Sequence, residues 1–234
     1  MSTVNIVLKD ITVRYGEKTV LEHVNLRVED HDYLGIIGPN GGGKTTLVKV
    51  ILGMMKPAEG EVLYFRDGKQ VKNLTMGYLP QYNNIDRKFP ISVYDVVLSG
   101  LTDQKCWFRP FTRQQRQQVE DTIDRMELRG LEHRHIGALS GGQLQRALLA
   151  RAVVSCPEVL ILDEPNTYVD KKFQEQMYQM LTDINSLCTL IVVTHDVASI
   201  LPSAKHFACV NHKLHCHQAG EVPVEKLEQH LSEI

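Results

Sequence analysis

No stretch of this sequence is apolar for long enough to cross a membrane. Thr189–Val193 (TLIVV) is among the longest apolar runs, whereas a membrane-spanning helix needs about 20 such residues. The first ten residues alternate apolar and polar side chains, as a strand does, and show no signal-peptide pattern. From these absences we expect a soluble, cytoplasmic protein.

The chain also lacks an excess of either charge. Its 26 Lys and Arg residues nearly balance 28 Asp and Glu residues, which gives a net charge of −2 at pH 7. This balance offers no broad basic surface, so nucleic acid is not expected as a partner. The five cysteines are an odd number without the spacing of a disulfide framework, which favours reduced thiols.

What is present is a pattern of short apolar strands that alternate with helices. Buried-type strands are predicted at 33–38, 159–165 and 189–196, and helices over 45–55 and near 172–187. The alternation predicts an α/β fold with a parallel sheet covered on both faces. We expect a single domain over 1–234, with strands in its first thirty residues and a helical subdomain inserted at about 91–154.

One loop between a predicted strand and a predicted helix is rich in glycine. GPNGGGKT fits the pattern G-x-x-x-x-G-K-[ST] in the context that this pattern requires. Glycine is needed because backbone N–H groups have to wrap a phosphate closely. Lysine would place its charge on the β- and γ-phosphates, and the next hydroxyl could bind Mg²⁺. The predicted nucleotide site comprises Gly38, Pro39, Asn40, Gly41, Gly42, Gly43, Lys44, Thr45 and Thr46.

Polar side chains lie at the ends of the predicted strands at 159–165 and 189–196 and after a further short strand predicted at 76–80 (MGYLP). Asp163 and Glu164 follow a buried strand, where ligands bind in open α/β sheets. Asp163 suits a Mg²⁺ shell and Glu164 suits an attacking water, although two solvated acids before a proline turn are the alternative. His195 is either a γ-phosphate sensor or a structural histidine, and Gln81 could bridge metal and water.

A second glycine-rich helix start lies in LSGGQLQRALLARA, residues 139–152. Ser140 and Gln143 have the spacing of a capping box, which by itself would explain both residues. Gly141 and Gly142 cost helix stability and are useful mainly where something approaches the backbone. The pair therefore predicts a second anion site at a helix N-terminus.

The order of these motifs resembles the ATP-binding subunit of an ABC transporter. The resemblance covers nearly the whole chain and rests on Tyr15 in VRYG, the loop at 38–45, Gln81, LSGGQ at 139–143, Asp163 with Glu164, Asp170 and His195. It implies a P-loop (RecA-like) core with a mostly parallel sheet, an N-terminal antiparallel β subdomain and the inserted helical subdomain. It also implies a homodimer in the ATP-bound state, in which each ATP lies between one copy's Lys44 loop and the other copy's Ser140-Gly141-Gly142 loop.

The resemblance assigns roles to the matching residues, with ATP and Mg²⁺ as cofactors. Tyr15 would stack on adenine, the backbone of 41–46 would hold phosphates together with Lys44, and Asp170 would contact the second copy. The residues implied to organise Mg²⁺ are Thr45, Gln81 and Asp163. Those implied to act on the attacking water and the γ-phosphate are Glu164, as general base, and His195, as sensor.

Two positions depart from the family pattern. Gly42 stands where the family usually has Ser, which removes a hydroxyl but keeps the backbone donors. In NTYVD (166–170), Tyr168 replaces a small residue near the implied dimer seam. Tyr168 favours an alternative, namely a nucleotide-dependent binding switch in which the dimer closes but hydrolyses little ATP.

Residues 81–101 and the WFRPF that follows resemble the zinc and manganese uptake branch of the family. The resemblance implies uptake of a metal ion through separate integral membrane permease subunits, which receive the ion from an extracytoplasmic metal-binding protein. Zinc and manganese are the ions expected first, and iron stays open. The ATPase would then sit at the cytoplasmic face of the membrane. The alternatives are an importer ATPase for a non-metal substrate and the non-transport ATPases of DNA repair or translation, which would need a coiled-coil insertion or tandem halves.

One further segment, HFACVNHKLHCHQ (206–218), concentrates histidine and cysteine. It could form a hairpin that turns at 211–213 and places His215 and His217 on one face. Such side chains can bind Zn²⁺, but the spacing matches no structural zinc pattern, and exposed histidines are common in a terminal hairpin. Both interpretations stay open.

Overall fold

The computed structural model describes residues 4–81, 86–104, 110–165 and 171–218. Its strands are β1 Val4–Tyr15, β2 Lys18–Glu29, β3 Tyr33–Ile37, β4 Glu59–Arg66, β5 Lys69–Val71, β6 Met76–Leu79, β7 Val159–Asp163, β8 Thr189–Val193, β9 His206–Asn211 and β10 Lys213–Gln218. Its helices are α1 Lys44–Ile51, α2 Val93–Ser99, α3 Arg113–Arg125, α4 Gly141–Val153, α5 Lys171–Asn185 and α6 Val197–Ile200.

A six-stranded sheet in the order β10-β9-β3-β8-β7-β6 forms the centre of the fold. Its strands run parallel except for β10, which is antiparallel to β9. Every residue of β3, β7 and β8 is buried, because apolar cores lie against both faces. In β7, for example, Ile161 belongs to one core and Leu162 to the other. The α/β prediction and the mostly parallel sheet are confirmed.

A second, antiparallel sheet in the order β2-β1-β4-β5 covers one face of the first. Together with α1 it encloses a core in which Ile6 and Leu8 of β1 join Ile36 of β3 and Ile191 of β8. The strands expected in the first thirty residues are β1 and β2, and the register of β1 shifts between Leu8 and Ile11. The resemblance implied this antiparallel N-terminal sheet, and the fold confirms it.

Helices α2, α3, α4 and α5 cover the opposite face. Val97, Ile123, Leu148 and Leu181 pack there in one core with Leu162 of the sheet. Helices α2, α3 and α4 all lie between residues 91 and 154, where a helical segment is predicted. Within the residues described above, no helix combines the length and apolar character that crossing a bilayer requires.

Two local predictions can be compared directly with the fold. The helix expected over 45–55 is shorter, because α1 ends at Ile51 and Gly53 adopts a left-handed φ of 69°. The hairpin predicted within 206–218 is confirmed: β9 and β10 pair antiparallel, Lys213 lies opposite Asn211, and His212 forms the turn with φ of 57°.

Candidate nucleotide site

The glycine loop connects the C-terminal end of β3 to α1. Gly43 precedes the helix with φ of 104°, and a Cβ there would lie 2.7 Å from Cδ2 of Leu21. No side chain caps α1, whereas α2, α3 and α4 start with capping Ser92, Thr112 and Ser140. The N–H groups at the start of α1 therefore resemble an anion-binding site, as the sequence predicts.

Lys44 lies inside this loop as well as at the start of α1. Its Nζ donates hydrogen bonds to the carbonyl oxygens of Gly38 (2.8 Å) and Pro39 (3.0 Å). Burial lowers the pKa of Lys44, while the nearby carboxylates of Glu164 and Asp163 oppose this shift. The ammonium group is thus held by the loop backbone and close to both acids.

Asp163, at the end of β7, lies beside Thr45. The Thr45 hydroxyl donates to Oδ2 of Asp163 at 3.3 Å, and the Tyr78 hydroxyl lies 3.5 Å from the same oxygen. Burial is the main cause that raises the pKa of Asp163, and it also raises the pKa of Tyr78 to about 12. A hydroxyl and a carboxylate, the ligands expected for a hard cation, are therefore adjacent.

Glu164 connects the predicted Gln81 and His195. It adopts a left-handed φ of 51°, an unusual conformation of the kind that clusters at functional sites. Its Oε2 accepts a hydrogen bond from Nε2 of Gln81 at 2.6 Å, and its Oε1 lies 3.9 Å from Nδ1 of His195. These three residues line one cavity of about 470 Å³ with Gly38, Pro39 and Asn40.

The second glycine motif lies apart from this cavity, at the start of α4. The capping box is confirmed: Ser140 N–H donates to Oε1 of Gln143 (3.1 Å), and Gln143 N–H donates to Oγ of Ser140 (3.3 Å). Gly141 and Gly142 have helical backbone and no positive φ. The backbone conformation therefore does not itself require glycine here, and close approach of another group stays the prediction for this pair.

Four further positions singled out in the sequence are Tyr15, Thr46, Tyr168 and Asp170. Tyr15 is 49% exposed and its hydroxyl lies 3.5 Å from Sδ of Met55. Asp170 and Tyr168 lie outside the described residues. Thr46 is in the first turn of α1.

The histidine-rich hairpin does not form a metal cluster. His206 pairs with the buried Asp32 at 2.9 Å, and His215 lies opposite Cys209 in the β9–β10 ladder. In the described residues, which include all of β9 and β10, no three His, Cys, Asp or Glu side chains are placed to hold a metal ion. The ion pair with Asp32 therefore gives His206 a structural role.

Three contacts around the site were not predicted. Tyr78 reaches Asp163, Nε2 of the buried Gln145 donates to the carbonyl of Pro165 (2.8 Å), and Nη2 of Arg87 donates to the carbonyl of Leu139 (2.6 Å). Gln145 gives one signal, a polar residue among the apolar residues of α4. The other two depend on contacts between distant segments, for which the sequence has no local signal.

A larger cavity, of about 570 Å³, lies between α3, α4 and α5. Among its lining residues are Met126, Arg146, Cys156, Met180 and Leu187. None of the predicted nucleotide-site residues lines it, and its wall is largely apolar. The chemistry therefore favours the smaller cavity at the glycine loop as the nucleotide site.

Comparison with known proteins decides the family. The family profile described as "ABC transporter" matches residues 21–167. The chain belongs to the ABC transporter family. It is 42% identical to a probable metal transport system ATP-binding protein of Chlamydia pneumoniae over 200 residues, 83% of this chain and 81% of that protein. It is 41% identical to the high-affinity zinc uptake system ATP-binding protein ZnuC of Bacillus subtilis over 194 residues, 81% of this chain and 83% of that protein.

Solved structures agree with the ABC fold. An ABC transporter in an inward-facing conformation superposes with a TM-score of 0.88 at 24% identity, over 99% of this chain and 90% of that one. A dimeric bacterial ABC transporter cassette superposes with a TM-score of 0.77 at 25% identity, over 93% and 100%. This ABC protein is thus an ATP-binding transporter subunit of a family that hydrolyses ATP, and its resemblance to metal-uptake relatives is confirmed.

Proposed function

We propose that this chain hydrolyses Mg²⁺-ATP and that the hydrolysis drives uptake of a metal ion through a membrane permease. The observation that carries the proposal is the convergence of Glu164, Gln81 and His195 on the cavity at the glycine loop. A carboxylate held by an amide at 2.6 Å beside a phosphate-binding loop is placed to accept a proton from a water.

The residues present fit both cofactors. The uncapped N-terminus of α1 and the Lys44 ammonium suit the phosphates of ATP. The oxygen ligands of Thr45 and Asp163, with the Gln81 amide nearby, suit Mg²⁺ rather than a softer metal. When bound, Mg²⁺ supplies positive charge against the phosphate oxygens.

The chain's own side chains would divide the chemistry as follows. Lys44 exchanges its bonds to the loop carbonyls for the β- and γ-phosphates. Glu164 would take a proton at a carboxylate oxygen from the attacking water, and Gln81 would orient that carboxylate. The exposed His195, 3.9 Å from Glu164, would contact the γ-phosphate. Tyr15 packs on the adenine ring.

The second glycine motif completes the site of another copy. Ser140, Gly141, Gly142 and Gln143 lie at a capped helix start outside the first cavity, and the helical backbone there does not itself require glycine. A head-to-tail homodimer brings this helix N-terminus to the γ-phosphate of the partner's ATP. Asp170 would contact the second copy at the same seam.

The proposed cargo and partners come from the relatives. A probable metal transport protein and a zinc uptake protein are 42% and 41% identical to this chain. From these relatives we propose that this chain serves the uptake of zinc or manganese. Its partners would be membrane permease subunits and an extracytoplasmic metal-binding protein, and the chain would lie at the cytoplasmic face of the membrane. Phe89, 59% exposed in the segment that resembles the uptake branch, offers the permease an apolar contact.

Glu164→Gln tests the ATPase proposal. The amide keeps the size of the side chain but cannot accept the proton, so we expect phosphate release to fall at least about 100-fold, the scale of general base catalysis. ATP affinity, measured with a fluorescent analogue, should change little. If the parent released no phosphate that this change could reduce, the chain would be a nucleotide-dependent switch, the alternative that Tyr168 suggests.

The cargo has its own test. Deletion of the gene should slow growth when zinc or manganese is withheld, and the withheld ion that limits growth names the cargo. Growth that is normal without either metal but impaired on another nutrient would favour an importer for a non-metal substrate.

A further inference from the structure

Backbone hydrogen bonds join two segments of the chain that are distant in sequence, close to the second glycine motif. Three backbone hydrogen bonds join residues 91–94 to residues 132–136, with N···O distances of 2.9 to 3.0 Å. The first of these segments follows Gln81, and the second leads into α4. These hydrogen bonds end at residue 136, before Gly141 and Gly142.

Arg87 continues this connection beyond the last of these hydrogen bonds. Its Nη2 donates a hydrogen bond of 2.6 Å to the carbonyl oxygen of Leu139. Its own backbone is equally close to the same turn, because a Cβ at Gly137 would overlap the carbonyl oxygen of Arg87. Side chain and main chain of Arg87 therefore both contact the turn at 137–139.

The carbonyl that Arg87 binds belongs to the same planar peptide unit as the N–H of Ser140. That N–H donates to Oε1 of Gln143 at 3.1 Å. Both polar atoms of one peptide unit are thus held, one by Arg87 and the other by Gln143. Because this unit immediately precedes Gly141, its orientation determines where the Ser140-Gly141-Gly142 loop presents its N–H groups.

We propose that Arg87 is a positioning residue for the ATP site of the neighbouring copy. It fixes the Leu139–Ser140 peptide unit, so that the glycine loop is already oriented when the two copies meet. The inference rests on the proposed function, since the loop affects turnover only if it completes a second copy's site. Arginine suits the role because a charged guanidinium makes a stronger hydrogen bond to a carbonyl than a neutral donor does.

The test compares Arg87→Ala with its parent in a Glu164→Gln background, where bound ATP is not consumed. ATP affinity at protein concentrations too low for pairing should stay within about twofold of the parent, since Arg87 lies outside the chain's own cavity. ATP-dependent dimerisation, followed by sedimentation, should weaken by up to about tenfold, because the loop is no longer oriented before the two copies meet. Arg87→Lys should recover part of this loss, and Arg113→Ala, which removes an exposed arginine of α3, should behave as the parent.

Each outcome has a definite meaning. If the parent dimerises with ATP and Arg87→Ala dimerises equally well, the positioning role is wrong and the proposed function stands. If Arg87→Ala also loses ATP binding in the dilute protein, Arg87 supports the fold in general and the proposal is overturned. If the parent itself stays monomeric with ATP, the head-to-tail site is wrong, and the role of Arg87 is wrong with it.

Discussion

At the scale of single residues, the close approach of the β9–β10 hairpin limits which side chains fit in the glycine loop at 38–45. The backbone N–H of His212 donates to the carbonyl of Gly42 at 2.9 Å. A Cβ at Gly42 would lie 2.8 Å from the carbonyl oxygen of Val210. The family's usual serine at this position therefore has little room in this chain, which gives a physical reason for the glycine.

Gly42→Ser should accordingly destabilise the protein, although it restores the family's usual residue. We expect the free energy of unfolding to fall by about 1–3 kcal/mol, the usual cost of adding a side chain where backbone is in the way. Chemical denaturation measures the loss. Gly42→Ala is the matched control, because it adds the same Cβ without the hydroxyl and should lose a similar amount. A Gly42→Ser variant as stable as the parent would contradict this account, because it would show that the hairpin moves to accommodate the side chain at no cost.

At the scale of elements, the site exists because several parallel strands end at one edge of the sheet. Lys44 and Thr45 follow β3, Gln81 follows β6, Glu164 follows β7 and His195 follows β8. Parallel strands bring their C-terminal ends to the same edge, so residues more than a hundred positions apart meet there. The positions of these side chains relative to one another are therefore set by the strands that precede them.

An ion pair between the two sheets gives a test at this scale. Arg66, at the end of β4, donates from Nε and Nη2 to the carboxylate of Glu158 at 2.5 and 2.7 Å, and the N–H of Thr75 donates to the same carboxylate at 2.8 Å. The hydrogen bond from Arg66 is the main cause that lowers the pKa of Glu158 below its ordinary value of 4.5.

A lowered pKa in the folded state means that the ionised carboxylate stabilises the fold above pH 4.5, and that this contribution disappears as the pH falls through the lowered value. The difference in unfolding free energy between parent and Glu158→Gln should therefore be constant near neutral pH and shrink towards zero in acid. The difference should be modest, since the Arg66 side chain is 48% exposed. Glu61→Gln is a control, because it removes an exposed carboxylate paired at 3.3 Å with Lys9. A difference that grows in acid would contradict the ion pair.

These elements also show what the sequence could and could not predict. The apolar strands, the glycine loop and the capping box at Ser140 are local patterns, and each was predicted from its own residues. The contact between Glu164 and Gln81 was not predicted, since each residue was predicted separately from its place at a strand end. The contacts of Tyr78 and Arg87 were missed, because a strand-end tyrosine and an exposed arginine have no local pattern that marks a distant partner.

At the scale of the whole molecule, the two glycine motifs are the decisive feature. One faces a cavity lined by Gln81, Glu164 and His195, and the other starts α4 without lining that cavity. On the proposed function, the first is the phosphate loop of the chain itself and the second is the loop that serves a second copy. The proposed head-to-tail pair, if related by a two-fold axis, would make two complete sites from these four halves.

Complementation between two inactive variants tests this pairing most directly. Lys44→Ala damages the phosphate loop and Ser140→Arg obstructs the second loop, so either variant alone should release almost no phosphate. In an equal mixture, half of the dimers join an intact Lys44 loop to an intact Ser140 loop at one of their two sites, so about a quarter of the parent's phosphate release should return. Head-to-tail pairing predicts this recovery, and its growth with total protein concentration. A mixture as inactive as its components, or a Ser140→Arg variant active by itself at high dilution, would contradict it.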